Sequence, residues 1–77
     1  QPPEANVVLT VDLNRKGTTA RLRWSGAESS RVRIFRNGDQ INRTRNDGAW
    51  NDKGYTSGDS YEVCEDDLSV CSNPASP

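Results

Sequence analysis

Apolar and polar residues alternate in several short segments of this chain, and that alternation constrains the fold more than any other feature of the sequence. Side chains two residues apart point to the same face of a β-strand, whereas an amphipathic helix needs apolar residues three and four apart. No segment keeps the helical spacing, so the sequence predicts an all-β protein. The alternating apolar residues of the first two segments, NVVLTVDL and TARLRW, are Val7, Leu9, Val11, Leu13, Ala20, Leu22 and Trp24.

A β-hairpin is predicted over residues 31–45. Val32 and Ile34 alternate with outward arginines in RVRIFR, and Asn37-Gly38 follows directly. Asn-Gly supplies the two positive-φ residues of a type I′ turn, which is the strongest short-range signal for a hairpin. The returning segment, DQINRTR, is polar enough to form the edge of a sheet.

Two further segments complete the predicted fold. A turn at residues 46–48 precedes Trp50, and the segment SYEVC places Tyr61 and Val63 inward, with Glu62 and Cys64 outward. About seven short strands separated by turns, within 77 residues, predict a small antiparallel β-sandwich. The predicted core residues in the central strands are Trp24, Val32, Ile34, Tyr61 and Val63.

Cys64 and Cys71 are the two cysteines of the chain, and three chemistries are open to them. A zinc site needs four ligands, but the chain has no histidine to complete one. Thioredoxin-type chemistry needs two intervening residues rather than six. If the flanking segments form a hairpin, the two residues lie opposite each other within disulfide range. We therefore expect a disulfide, and with it an oxidising compartment and a secreted protein.

The charges divide the chain into a basic part and an acidic part. Residues 13–46 carry nine basic side chains and residues 47–77 carry seven acidic ones, although the formal net charge is only −1. The division predicts either a basic binding face or pairing between the two parts. The segment SYEVC is expected to pair with the segment RVRIF, which would place Glu62 beside Arg31 or Arg33. Few aromatic residues are available for stacking on bases, so nucleic acid is not an expected partner.

Candidate sites for chemistry are few. Glu65, Asp66 and Asp67 could be considered for calcium, but no spaced Asp-x-Asp-x-Asp-Gly loop is present, so neither a metal nor a cofactor is expected. The chain has serines without a histidine to activate them, and we do not expect an enzyme. The expected binding residues are an outward aromatic ring, its flanking arginines and a second aromatic residue that also suits the core: Phe35, Arg33, Arg31 and Trp50.

Three segments read in order, VRIFRNG, INRTRNDGAWNDKG and YEVCEDDLSVCSN, resemble fibronectin type III-like modules at the C-terminal ends of secreted bacterial hydrolases. The closest resemblance is to the modules that follow extracellular serine protease domains. It extends over residues 6–73, with Trp50 where a tyrosine is more usual and with prolines in the last segment, which should shorten the last strand. The matching residues are Ile34, Phe35, Arg36, Asn37, Gly38, Asn46, Asp47, Gly48, Trp50, Asp52, Tyr61, Val63, Cys64, Glu65, Cys71, Ser72 and Asn73.

The resemblance implies a fibronectin type III/immunoglobulin-like sandwich over residues 7–73, with a linker at 1–6 and a tail at 74–77. It implies a non-catalytic accessory module that aids substrate engagement, domain spacing or secretion, and a role for Asp52 in capping a turn. The implied partners are an upstream catalytic domain and an insoluble protein or polysaccharide substrate. We expect a monomer. No membrane segment is expected, because the chain has no long apolar run. The alternative is an adhesion or polysaccharide-binding module of another secreted or surface protein.

Overall fold

The computed structural model of the protein describes residues 7–77 and contains six β-strands in that range. All six are short, as the spacing of turn residues predicts. The predicted linker at residues 1–6 lies outside the described residues. The strands are β1 (Val8–Leu13), β2 (Ala20–Ser25), β3 (Arg31–Arg36), β4 (Asp39–Arg45), β5 (Ala49–Asp52) and β6 (Tyr61–Glu65).

The strands form two antiparallel sheets, with the order β1-β2-β5 in one and β4-β3-β6 in the other. Buried apolar side chains from both sheets meet in one cluster, so the predicted small β-sandwich is confirmed. The predicted pairing of segment 61–65 with segment 31–36 is also present. Across residues 7–77 there is no helix of the length and apolarity needed to cross a membrane.

The core is built from the alternating positions of four strands. Along these strands every second side chain points into the core, as the alternation in the sequence predicts. The five predicted core residues are all at least nine-tenths buried, and four of them are fully inaccessible to solvent. The buried apolar cluster consists of Val7, Leu9, Ala20, Leu22, Trp24, Val32, Ile34, Tyr61 and Val63.

The hairpin between β3 and β4 has the predicted Asn-Gly turn. Asn37 has a φ of 54° and Gly38 a φ of 88°, both in the left-handed region that a type I′ turn requires. The register shifts after Ile34, which pairs with Asn42, whereas Phe35 pairs with Gln40. Ile41 of β4 therefore has no partner on β3, which makes it a β-bulge. The bulge lets the Ile41 side chain pack against the core.

The seventh strand is reduced to two isolated bridges beside β6. Cys71 pairs with Cys64, and Ala75 pairs with Tyr61 through two backbone hydrogen bonds of 2.8 and 2.9 Å. Pro74 interrupts the segment between the bridges, and a proline has no N–H to donate to a ladder. The expected shortening of this strand is therefore observed, and pairing continues to Ala75, two residues past the predicted boundary at 73.

Two polar side chains attach the last segment to the rest of the sandwich. The hydroxyl of Ser72 accepts a hydrogen bond from the Val63 N–H at 2.9 Å, while the Ser72 N–H donates to the Val63 carbonyl. The amide of Asn73 donates to the Leu9 carbonyl at 3.1 Å and accepts from the Leu9 N–H at 3.2 Å. Asn73 thus bonds to β1 of the opposite sheet in the manner of a neighbouring strand.

The disulfide between Cys64 and Cys71 is present, as predicted, and it closes the hairpin that follows β6. The Cα atoms of the two residues lie 3.9 Å apart. Cys64 is on the outward-facing side of β6, as predicted, yet only 3% of it is exposed. The reason is that its sulfur is bonded to Cys71, which lies against the same edge of β6.

Reduction of the disulfide should lower the free energy of unfolding by about 2 to 3 kcal/mol, because the bond closes a short loop and restricts the unfolded chain. Urea denaturation with and without reductant measures the difference. The Cys64→Ser variant is the matched control, since reductant should not change its stability further. Equal stability of the oxidised and reduced wild-type protein would contradict this stabilising role.

Candidate functional site

The candidate site is the outward surface of the β4-β3-β6 sheet, called here the outer face. It contains three of the four predicted binding residues, Arg31, Arg33 and Phe35, at alternate positions of β3. Their partners on β4 and β6 point to the same side, because residues opposite each other in a sheet share a face. The residues of the outer face are Arg31, Arg33, Phe35, Gln40, Arg43, Arg45, Glu62, Cys64 and Asp66.

Four arginines form two rows across β3 and β4. Arg31 lies directly opposite Arg45, and Arg33 lies directly opposite Arg43. Side chains that face each other on adjacent strands have Cβ atoms about 5 Å apart, and like charges at that separation destabilise a sheet. An anion bound between the two arginines of a row would offset their repulsion, so each row attracts anions.

The row formed by Arg33 and Arg43 already holds a carboxylate, that of Asp66. Arg43 makes two hydrogen bonds to it, Nε to Oδ1 at 2.7 Å and Nη2 to Oδ2 at 2.9 Å, and Arg33 Nε lies 3.3 Å from Oδ1. Hydrogen bonding by Arg43 is the main cause that lowers the pKa of Asp66 to about 2. Asp66 belongs to the tip of the disulfide hairpin, so this contact also attaches the hairpin to the outer face.

The row formed by Arg31 and Arg45 differs from its neighbour. Both residues are exposed, and among residues 7–77 neither makes an ion pair or a side-chain hydrogen bond. The two positive charges therefore remain open to solvent on the outer face. This row is the part of the outer face with the strongest unsatisfied attraction for anions.

Phe35 lies at the far end of the same face and is half-buried. It is opposite Gln40 on β4 and Glu62 on β6, so the expectation that Glu62 would lie beside Arg31 or Arg33 was wrong. The register is set on the inner side of β6, where Tyr61 opposes Arg36 and Val63 opposes Ile34. That alignment places Cys64, rather than Glu62, opposite Arg33.

Trp50, the fourth predicted binding residue, lies in the other sheet. It pairs with Leu22 on β2 and packs, half-buried, against the margin of the core. Trp24 is buried, and its indole Nε1 donates to Asn46 Oδ1 at 2.9 Å. The structure therefore brings Phe35, Arg31 and Arg33 together and leaves Trp50 apart from them.

Asp52 has a larger role than the predicted turn cap. Its Oδ1 accepts the Gly54 N–H at 2.9 Å, which is the expected cap. Its Oδ2 accepts hydrogen bonds from Tyr61 Oη at 2.6 Å and Arg36 Nη1 at 2.7 Å, and so joins β5 to the opposite sheet. Burial alone would raise the pKa of Asp52, but the hydrogen bonds from Tyr61, Gly54 and Arg36 outweigh it and lower the pKa. Burial and the Asp52 hydrogen bond raise the pKa of Tyr61.

The acidic residues after β6 are occupied by structural contacts. The buried carboxylate of Glu65 accepts hydrogen bonds from the N–H groups of Glu28 and Ser29 and from the Ser29 hydroxyl, which lowers its pKa. Asp67 Oδ1 accepts the Ser69 N–H at 3.0 Å within the turn. No cluster of three or more metal-ligating side chains occurs in the part of the chain that the structure describes.

Several arginines of the basic part of the chain form ion pairs with aspartates of the acidic part. Of the five ion pairs found among residues 7–77, four join an arginine from residues 13–46 to an aspartate from residues 47–77. Arg36 pairs with Asp52 and also lies 3.9 Å from Asp59. The binding-face interpretation therefore applies only to the arginines that these contacts leave exposed.

The Asp52→Ala variant should lower the free energy of unfolding by about 2 to 3 kcal/mol, because it leaves the buried Tyr61 hydroxyl without its acceptor and removes the nearer ion-pair partner of Arg36. Chemical denaturation at pH 7 measures the change. The control is Asp39→Ala, the removal of an exposed carboxylate, which should change stability by no more than about 0.5 kcal/mol. Similar effects of the two substitutions would contradict a structural role for Asp52.

Protonation of Asp66 should release the disulfide hairpin from the outer face. Its pKa is lowered from 3.8 to about 2, so the ionised form is favoured by folding. The stabilisation is therefore complete above the unfolded-state pKa and is lost as the pH falls through the folded-state value. Stability measured at pH 6 and at about pH 2 should differ less in Asp66→Asn than in the wild-type protein. The Asp39→Asn variant should keep the wild-type difference, and an unchanged difference in Asp66→Asn would contradict the assignment.

Comparison with known proteins identifies a similarity of fold. No protein-family model matches the chain, and no curated protein matches it. A solved structure of pectate lyase Pel3 from Pectobacterium carotovorum is similar, with a TM-score of 0.66 and 19% sequence identity. The match covers 94% of this chain and 27% of the pectate lyase chain, so the protein spans about a quarter of that length. At this identity the similarity concerns the fold alone: the chain has the fold of one part of a larger enzyme.

Proposed function

We propose that this protein is a non-catalytic accessory module of a secreted bacterial hydrolase, with a serine protease as the parent enzyme. Its role is to support substrate engagement, domain spacing or secretion. The observation that carries the substrate-engagement role is the outer face, where the exposed Arg31–Arg45 row and the half-buried Phe35 lie on the same side of one sheet. The motifs that resemble fibronectin type III-like modules of extracellular proteases support the choice of parent enzyme.

The ionisable groups support a non-catalytic role. Strongly shifted pKa values often mark catalytic groups, but structural ion pairs shift them as well. Here the lowered pKa values of three carboxylates have structural causes: Asp52 joins the two sheets, Glu65 holds the loop before β3, and Asp66 binds two arginines. These carboxylates are engaged by neighbouring donors instead of being directed at a substrate.

The disulfide supports a location outside the cytoplasm. Disulfides form and persist in oxidising environments and are rare in the reducing cytosol. A small domain with a core of this size also gains a large part of its stability from such a bond. Secretion with a larger enzyme is consistent with both requirements.

The second candidate is a polysaccharide-binding module. Two observations favour it: the same fold forms about a quarter of a pectate lyase chain, and the outer face offers arginines that no carboxylate of residues 7–77 occupies. In this case the parent protein would act on, or adhere to, a polysaccharide. The two candidates share one binding surface and differ in the polymer that it contacts.

Retention on insoluble polymers tests substrate engagement. The protein should be retained on at least one of collagen, casein, chitin and cellulose at low salt, where arginine contributions are strongest. Phe35→Ala should reduce this retention while leaving the melting temperature close to that of the wild type, because Phe35 lies outside the core. Val8→Ala is the control, since Val8 is exposed on the other sheet and should not affect retention.

The result also separates the two candidates. Retention on collagen or casein favours a protease module, and retention on chitin or cellulose favours a polysaccharide-binding module. Absence of retention on all four would exclude these polymers as substrates and leave spacing or secretion as the role. Equal loss in Phe35→Ala and Val8→Ala would contradict the placement of the binding surface.

A further inference from the structure

The Arg33–Arg43 row shows how this sheet binds a carboxylate. Two arginines that face each other across β3 and β4 hold Asp66 between them, with Arg43 using both Nε and Nη2. An arginine and a carboxylate are matched for such a two-bond contact, because both groups are planar and forked. The contact forms on the surface of the sheet and needs no pocket.

The Arg31–Arg45 row repeats this arrangement one step along the sheet. The two rows are separated by two residues on each strand, which is about 7 Å. They share the same strands, the same cross-strand pairing and the same outward direction. They differ in occupancy, since none of the carboxylates in residues 7–77 lies within ion-pair distance of Arg31 or Arg45.

We propose that Arg31 and Arg45 bind a carboxylate group of an acidic polysaccharide that lies along the outer face. This inference rests on the proposed substrate-engagement function and names its substrate class. Phe35 contacts a sugar ring further along the polymer. Gln40, opposite Phe35, accepts a hydrogen bond from Arg33 Nη1 at 3.3 Å through its Oε1, and its side-chain N–H groups are available for sugar hydroxyls. Phe35 lies four positions along β3 from Arg31, about 13 Å away, a distance that linked sugars span and a single small anion does not.

The features of the face favour a polysaccharide over other anions. An acidic peptide would be expected to add to a sheet edge through backbone hydrogen bonds, whereas Arg31 and Phe35 point outward from the central strand of the sheet. Single-stranded nucleic acid is bound through several stacking aromatics, and this face has one aromatic ring. A polymer with carboxylates and apolar ring faces matches both kinds of side chain present.

Binding of the 77-residue protein to soluble sodium polygalacturonate tests the proposal, with neutral dextran and poly-glutamate as comparison polymers. Isothermal titration at low salt should show binding to polygalacturonate, weaker binding to poly-glutamate and none to dextran. Arg31→Gln/Arg45→Gln should lower the affinity for polygalacturonate by about tenfold or more, because it removes both charges of the row.

A matched control keeps the same change in net charge. Arg15→Gln/Arg23→Gln removes two exposed arginines, one of them on the opposite sheet, and should change the affinity by less than about twofold, since it affects only long-range attraction. Asp66→Asn should raise the affinity, because it frees Arg33 and Arg43 to bind a second carboxylate of the same polymer. Melting temperatures establish that each variant is folded.

Three results would overturn the proposal. They are no binding of polygalacturonate at low salt, equal loss of affinity in the two double variants, and binding of poly-glutamate as tight as that of polygalacturonate. If polygalacturonate fails but casein, collagen, chitin or cellulose retains the protein, the proposed function stands and only the substrate class is wrong. If all the polymers fail, substrate engagement itself is wrong.

Discussion

The carboxylate of Asp52 is the interaction on which the arrangement of the two sheets depends. It lies on β5 in one sheet and accepts hydrogen bonds from Arg36 on β3 and Tyr61 on β6 in the other. The Tyr61 contact is buried and the Arg36 contact is partly buried, so the Tyr61 hydroxyl would be costly to leave without an acceptor. They also fix the alignment of β6 against β3, and that alignment decides which residues meet on the outer face.

Other polar side chains close the sandwich where apolar residues are lacking. Asn46 bonds the Trp24 indole and two carbonyls of the loop before β3, and Glu65 bonds the backbone of the same loop. A domain of this size buries a limited apolar area. In a larger domain, apolar packing would hold such loops in place. Here hydrogen bonds from side-chain amides and carboxylates hold them instead. No buried side-chain polar atom of residues 7–77 lacks a partner.

The sequence predicts those parts of the fold that depend on local chemistry. Alternation predicts the buried side of β1, β2 and β3, Asn37-Gly38 determines the hairpin turn, and the spacing of the two cysteines is compatible with an antiparallel hairpin between them. The contacts of Asp52 and the position of Glu62 were beyond prediction, because each depends on the register between strands that are distant in sequence. The Arg31–Arg45 row depends on the β-bulge in β4: without it, the register set by the Asn37-Gly38 turn would place Arg31 opposite Thr44, and the one-residue shift places it opposite Arg45.

The bond between Asn73 and Leu9 has a consequence for self-association. A strand at the edge of a sheet exposes N–H and C=O groups to which a strand from another molecule can pair, and this is a common route to aggregation. On β1 the N–H and the carbonyl of Leu9 are both taken by one side-chain amide. An incoming strand would have to displace Asn73 before it could extend the sheet there. A single asparagine thus blocks intermolecular strand pairing at this position without an additional strand.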